Sequence, residues 1–223
     1  MTTLQTEVPS PEPSEPTTIH RQARGEERRM AILRATWQVV LSDGVRGVKH
    51  RAVAKAAGVP LASTTYYFKD IQELLVQSFQ LFAAESLAQF AQPFWQRAEA
   101  YLAALPLDAE RELVEMILVD LAAEFIELRL NEHREHLVME YAFWYAALHD
   151  EQLEAAVRDM ALAWFKLLMP CLKRFKLANE EQAARTLLSA VRRVEYEGLI
   201  HGSASYRDGW IREALAYQVR GLW

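Results

Sequence analysis

Between Gly58 and Gly198 the chain runs for 139 residues without a glycine, and that stretch has no alternating β-branched segment. Sheets of such length depend on tight turns, and tight turns draw on glycine for positive φ. Helix is what remains. Breaks are marked by Pro93, Pro106, "LNEH" near 130, "LHDEQ" near 149, "LANEE" near 178 and "HGSASYRDG" near 205. Asp108, Asp150, Asn179 and Asp208 are each placed to act as helix N-caps. The expectation is an all-α fold of roughly nine or ten helices, kinked at Pro170.

The 223 residues amount to one large domain or two modest ones, and half are apolar, enough for a sizeable core. No run approaches the ~20 apolar residues of a membrane span, so no membrane partner is expected. The N-terminus carries no apolar stretch of a secretory leader. A single cysteine, Cys171, in apolar helical context reads as packing and suits a reducing cytoplasm. Residues 1–20, with "PSPEPSEPTT", read as a disordered Pro/Glu-rich tail.

Charge is unevenly placed. The net is −5, yet residues 21–70 hold ten lysines and arginines against four acids, a local +6. A basic module on an acidic body is the asymmetry of a DNA reader attached to something else. Within that module, Ile32, Leu33, Trp37, Val40 and Leu41 form the stripe of a first helix from about Gly25 to Leu41. A short helix from about Arg51 to Ala57 ends at Gly58, and another follows from about Leu61 to Phe68. Two short helices across a glycine turn make a helix-turn-helix. Asp70 can cap the long helix beyond it.

Lys49, His50 and Arg51 stand where the macrodipole disfavours cations, so the folded module alone gains little from them. Phosphate at that helix end reverses the sign, because backbone N–H groups and basic side chains then face one anion. Arg21, Arg24 and Lys69 complete the phosphate-binding set. Ala62 and Ser63 let the second short helix approach the groove floor, while Thr65, Tyr66 and Tyr67 offer hydroxyls.

The stretch "VAKAAGVPLASTTYYFKDIQELL" resembles the amino-terminal domain of the TetR family of bacterial transcriptional regulators, over about Arg28 to Leu75. It has the Val-Ala pair, the Ala-Gly-Val turn, an aromatic cluster ending in Phe and the Leu-Leu of the fourth helix. The resemblance implies that Val59 and Phe68 are core and that Pro60, Leu61, Ala62, Ser63, Thr65, Tyr66 and Tyr67 face the groove. Departures stand at Lys49 or His50, where the family usually caps with threonine. They stand also at Thr64, Thr65 and Tyr67 (commonly leucine, tyrosine and histidine), and at Ile71, where Lys69 substitutes for a phosphate-binding lysine.

Residues 71–223 show apolar faces at helical spacing. Large soft side chains gather in the central helices, among them Met116, Phe125, Tyr141, Trp144, Trp164 and Phe165. They form either an ordinary core or a pocket for an apolar or aromatic effector. The resemblance favours the pocket, since family members commonly enclose an inducer among these helices. Near the C-terminus, Leu187, Leu188, Val191, Val194, Gly198 and Leu199 share one face, and Ile211, Leu215 and Val219 another. These faces close either on the chain's own core or on a second subunit, and the resemblance implies the latter, a four-helix homodimer bundle. A two-fold dimer also suits palindromic half-sites one helical turn (~34–36 Å) apart.

Two clusters suggest chemistry without its context. His133 and His136 in "HREH" lack a third ligand at fixed spacing and read as a solvated helix start, not a metal site. His201, Ser203, Ser205 and Asp208 lack the strand-turn-helix that exposes a hydrolase nucleophile and read as a loop. No phosphate-binding glycine loop occurs, and no catalytic role or cofactor is expected. The reading is a three-helix DNA-binding domain over 21–70 and a helical effector-binding and dimerisation domain over 71–223. Together they make a ligand-responsive repressor, or else a DNA-binding dimer controlled by a protein partner, or a small-molecule binding protein whose basic module no longer reads DNA.

Overall fold

A computed structural model of the chain describes residues 16–106, 108–175, 177–202 and 209–223, with side chains from residue 22 onward. Among them are ten α-helices and no strand. In order they are α1 (Pro16–Asp43), α2 (His50–Ala57), α3 (Leu61–Tyr67), α4 (Ile71–Ser86), α5 (Gln92–Ala103), α6 (Arg111–Asn131), α7 (Arg134–Ala147), α8 (Glu151–Leu172), α9 (Glu180–His201) and α10 (Trp210–Val219).

Local signals account for most boundaries. Asp70 accepts from the Glu73 N–H, Asp150 from the N–H groups of Gln152 and Leu153, and Asn179 from that of Gln182. Three expectations change. Helix α1 begins at Pro16, inside the stretch read as tail; proline at a first helical position gives up an N–H that has no intrahelical partner anyway. Asp108 caps nothing, because a turn closed by Ala109 N–H on the Pro106 carbonyl carries the chain on to Glu110 before α6 starts. Asp208, with Ser203 and Ser205, lies outside the described residues.

Pro93 does not break the chain either. Helix α4 passes through a π-turn, Leu87–Ala91, directly into α5, with right-handed helical dihedrals on both sides and the Gln92 N–H reaching back to the Leu87 carbonyl. Such insertions absorb one extra residue without a loop. Pro93 then comes just after the π-turn, as the second residue of α5.

Two large cores hold the helices, beside a small cluster of Leu102, Ile117 and Cys171. One joins Ile32, Val53 and Phe68 of α1–α3 to Phe79, Phe82, Phe94, Phe125, Phe143 and Trp164 of the body, so head and body share a continuous interior. The other lies among α6, α8, α9 and α10, around Ile126, Leu172, Ala184, Val194, Leu215 and Val219. No helix among the described residues is long and apolar enough to cross a membrane.

Candidate nucleic-acid interface and cavities

Helices α2 and α3 turn on Gly58, whose φ of 63° and ψ of 30° are left-handed and strain any residue with a Cβ. The Val59 N–H closes on the Ala54 carbonyl at 3.0 Å, and its side chain tucks half-buried against the core. Helix α3 is rooted by two buried side chains. Phe68 is sealed in the core, and Thr64 turns inward with its hydroxyl donating to the Leu61 carbonyl at 2.8 Å. The opposite face is open. Pro60, Leu61, Ala62, Thr65 and Tyr66 are exposed, Tyr66 by 82%, and Ser63 is half-exposed.

Lys49 is the N-cap of α2 and makes no side-chain cap bond; the first turn holds no acid to satisfy the free N–H groups. Lys49 and Arg51 are exposed beside them, Arg24 is exposed on α1, and Lys69 is exposed near Asp70 at 3.9 Å. Two members of the basic-aromatic set are less open. His50 is half-buried, and its Nδ1 has no partner among the described residues. Tyr67 is half-buried, edge-on to Tyr66 at 5.0 Å, and a Cβ placed on Gly25 of α1 would stand 3.6 Å from its hydroxyl. Tyr67 therefore braces α1.

Cross-helix bonds tie this head to α4. Ser78, fully buried, donates its hydroxyl to the Leu33 carbonyl at 3.1 Å, and Trp37 Nε1 donates to the Ser78 carbonyl at 3.1 Å. Arg34 pairs with Glu85 at 2.7 Å. At the far end of α4 the Ser86 hydroxyl is committed to the Phe82 carbonyl at 2.6 Å, so it accepts from His136 Nε2 at 2.9 Å. His136 stacks on Phe82 at 4.2 Å and meets Phe90 of the π-turn edge-on at 4.8 Å. Burial, then the charges of Arg129 and His133, push this imidazole down to about 3, so it is neutral. It is a packed strut, not the solvated residue expected of "HREH".

The six expected effector residues do not converge. Phe125 and Trp164 meet at 5.5 Å in the first core, and Met116 stands on the rim of an outer cleft. Tyr141 donates its hydroxyl to the Arg192 carbonyl at 2.6 Å, and Trp144 lies 4.3 Å beneath the Arg192 guanidinium. Phe165 packs under Arg185 against the second core. The residues around which space collects are Phe94 and its neighbours in α5, missed because Pro93 read as a break. Phe94 lines three cavities. The first is an outer cleft of about 450 Å³ among α5, α6 and α10, crossed by the pairs Arg97–Glu124 and Arg212–Asp120. The second is a groove of about 690 Å³ bordered by Phe90 and His133. The third is a narrow apolar cavity of about 50 Å³ among α5, α6, α8 and α9.

An ionic network also escaped the sequence reading. Arg129 of α6 donates to Glu195 of α9 at 3.0 Å and to Glu140 of α7, all three buried, with its guanidinium 5.5 Å from the Phe125 ring centroid. Burial opposes the Arg129 cation, but the two carboxylates outweigh it and hold its pKa above the ordinary value. Burial pushes the Glu195 carboxyl up to about 7 against the pull of Arg129. The signal was present, since Arg129 and Glu195 fall on apolar stripes, four residues after Phe125 and Val191.

The expected dimer residues are for the most part occupied already. Leu187, Val194, Gly198, Ile211, Leu215 and Val219 are buried in the chain's own second core, and Leu188, Val191 and Leu199 are half-buried. A Cβ at Gly198 would come within 2.5 Å of Leu130, so the close approach that glycine permits is to α6 of the same chain. Periodicity marked a covered face correctly, but the cover is intramolecular. What α9 and α10 leave open is Tyr196, Ile200 and Tyr217, exposed by 53%, 62% and 80%.

No protein-family model matches the chain. It is 39% identical over 61 residues to the HTH-type transcriptional regulator PksA of Bacillus subtilis, a match covering 27% of this chain and 30% of that protein. With the HTH-type transcriptional regulator BetI of Vibrio parahaemolyticus it shares 27% identity over 191 residues, 85% of this chain and 82% of that protein. Among solved structures, the multidrug binding protein EbrR complexed with ethidium superposes with a TM-score of 0.60 at 26% identity, covering 86% of this chain and 98% of that one. A member of TetR family from Streptomyces coelicolor A3 gives a TM-score of 0.58 at 26% identity, with the same coverage of both chains. These likenesses support a TetR-like transcriptional regulator.

Proposed function

We propose that the chain is a dimeric, sequence-specific DNA-binding regulator, a repressor whose grip on a palindromic operator responds to an effector held in its body. The observation that carries the DNA reading is the division of α3, rooted inward by Thr64 and Phe68 while Leu61, Ala62, Thr65 and Tyr66 face outward. Beside it stands the uncapped, basic start of α2. A rigidly seated helix with an open small-residue face can enter the major groove, and Arg24, Lys49, Arg51 and Lys69 then neutralise flanking phosphates. Residues 21–70 read DNA in this account, and residues 71–223 bind effector and dimerise, in the cytoplasm where the DNA is.

Effector control draws support from the likeness to EbrR, whose structure holds ethidium. It draws support also from the placement of Phe94, which borders three cavities and follows the π-turn that continues α4. An occupant that displaces Phe94 biases α4, and through Trp37, Ser78 and Arg34 the attitude of the head. Dimerisation falls to the open faces of α9 and α10, where Tyr196, Ile200 and Tyr217 lie.

The test is fluorescence anisotropy of the protein on DNA from upstream of its own gene, titrated with salt against a scrambled duplex. Saturable preference for the native duplex, fading steeply with salt, is expected. Equal and weak binding to all genomic fragments tried would refute a sequence-specific regulator.

A further inference from the structure

The outer cleft and the narrow apolar cavity share a wall, since Phe94 and Leu121 line both. The two spaces differ in character. The cleft carries Asp120, Glu124, Glu127, Arg97 and Arg212, whereas the cavity behind the wall is lined by leucines, Val191, Phe125 and the Cys171 thiol. Trp95, one of the residues around the cavity, carries a polar group without a partner: its indole Nε1–H is buried and has no acceptor among the described residues. Buried N–H groups are nearly always paired, and a donor left single in an apolar lining marks a place where an acceptor is energetically welcome.

Size adds a second constraint. The cavity, about 50 Å³, admits a terminal group and not a whole effector; the cleft, about 450 Å³, takes a small-molecule body. The Phe94 ring packs edge-on to Trp95 at 5.5 Å and at 4.9 Å from Phe125, in the first full turn after the π-turn. The Phe94 ring thus borders the cleft on one side and Trp95 on the other. No charged side chain lines the cavity, so an ionised leading end would lose its hydration without gaining a counter-ion.

We propose that the cleft and the cavity are two chambers of one site, which takes an elongated, largely apolar molecule whose leading end is uncharged and presents one hydrogen-bond acceptor to Trp95 Nε1–H. The assignment rests on the effector reading above and goes beyond it by naming the chemistry of the ligand's buried end and its receiving group. The indole ring walls the cavity while its N–H selects, so a ligand of equal shape without an acceptor loses the hydrogen bond and keeps the packing.

The test uses the full chain and two probes of matched shape, benzylacetone, which carries a ketone near its end, and isopentylbenzene, its hydrocarbon counterpart. Calorimetric titration and the indole N–H resonances of nitrogen-15-labelled protein report binding. Both probes are expected to bind, and benzylacetone alone moves one indole resonance strongly, the one missing from Trp95→Phe. That variant keeps an aromatic wall and weakens benzylacetone roughly threefold to tenfold while leaving isopentylbenzene unchanged. Ala122→Leu, which fills the cavity from α6, abolishes the binding of both. If both probes bind and Trp95→Phe affects neither differently, the role of Trp95 is overturned while the effector reading stands. If Ala122→Leu leaves binding intact, the two-chamber site is overturned. If neither probe binds, the two-chamber site and the effector reading at this place fall together.

Discussion

Arg129 donates to the Glu195 carboxylate at 3.0 Å in the protein interior and so pins α6 to α9, with 6% and 2% of the two residues left to solvent. The same guanidinium holds Glu140 of α7. Taking three charges out of water is costly, and their mutual attraction offsets that cost only while all are present. Arg129→Met leaves two carboxylates facing each other in the core. It is expected to destabilise the fold by about 3–5 kcal/mol, read from the midpoint of urea unfolding. The triple change with Glu140→Gln and Glu195→Gln should recover much of the loss, because no unpaired charge then remains.

Acid should act on His136 and Glu195 in opposite senses. The buried His136 ring stays neutral down to about 3, whereas the unfolded chain takes up that proton near 6.5. The unfolded state therefore binds more protons in that window, and stability is lost as pH falls from 6.5 toward 3. Glu195, pushed up to about 7, protonates earlier in the folded chain than in the unfolded one, and acidification from 7 toward 4.5 favours the fold through it. His136→Gln removes the first contribution and leaves the second. Its stability should decline less than that of the unmodified chain between pH 6.5 and 5, measured as unfolding midpoints across that range; parallel curves would show that the imidazole titrates alike in both states.

Phosphate and base contacts should separate by their signatures. Lys49→Ala is expected to weaken all duplexes alike and to lower the slope of log affinity against log salt by about 0.9 for each phosphate left unneutralised. Lys69→Ala should behave in the same way. Ser63→Ala and Tyr66→Phe should instead shift preference among duplexes at an unchanged slope, because they lie on the outward face of α3.

Tyr67 belongs with neither group. Its hydroxyl lies beside Gly25, so Tyr67→Ala should loosen the first helix where Arg24 and Arg28 are carried. The expected result is weaker binding to every duplex with the order of preference retained. A changed order in the anisotropy series would return Tyr67 to the groove-reading set.

The open faces of α9 and α10 should govern assembly. Ile200→Glu and Tyr217→Glu place charge on side chains exposed by 62% and 80% and are expected to shift sedimentation toward monomer without unfolding the chain. Leu215→Glu, buried in the chain's own second core, should unfold it instead. Monomers throughout, before and after mutation, would rule out the dimer.

The helices of the head from α2 to α4 were legible, because their signals are local. A left-handed turn needs Gly58, a short helix needs its apolar anchors at Val53 and Ala54, and Asp70 caps whatever helix follows it. Each of these is decided within four or five residues. The cavities beside Phe94 were not legible in the same way. Phe94 and Trp95 matter because α5 faces α6 and α8, and Pro93 drew the reading away from a segment that a π-turn keeps helical.

By itself the sequence determined the all-helical character, the helix-turn-helix and its uneven charge, and the faces of the long helices that must be covered. Only the tertiary structure decided what covers them. The stripe through Leu187, Val194 and Gly198 closes on Leu130 and its neighbours in the same chain, and Arg129 finds carboxylates 11 and 66 residues away. The physical reason is that periodicity records the burial of a face, a property of one helix. The partner is set by how helices distant in sequence pack, and that is a property of the whole molecule.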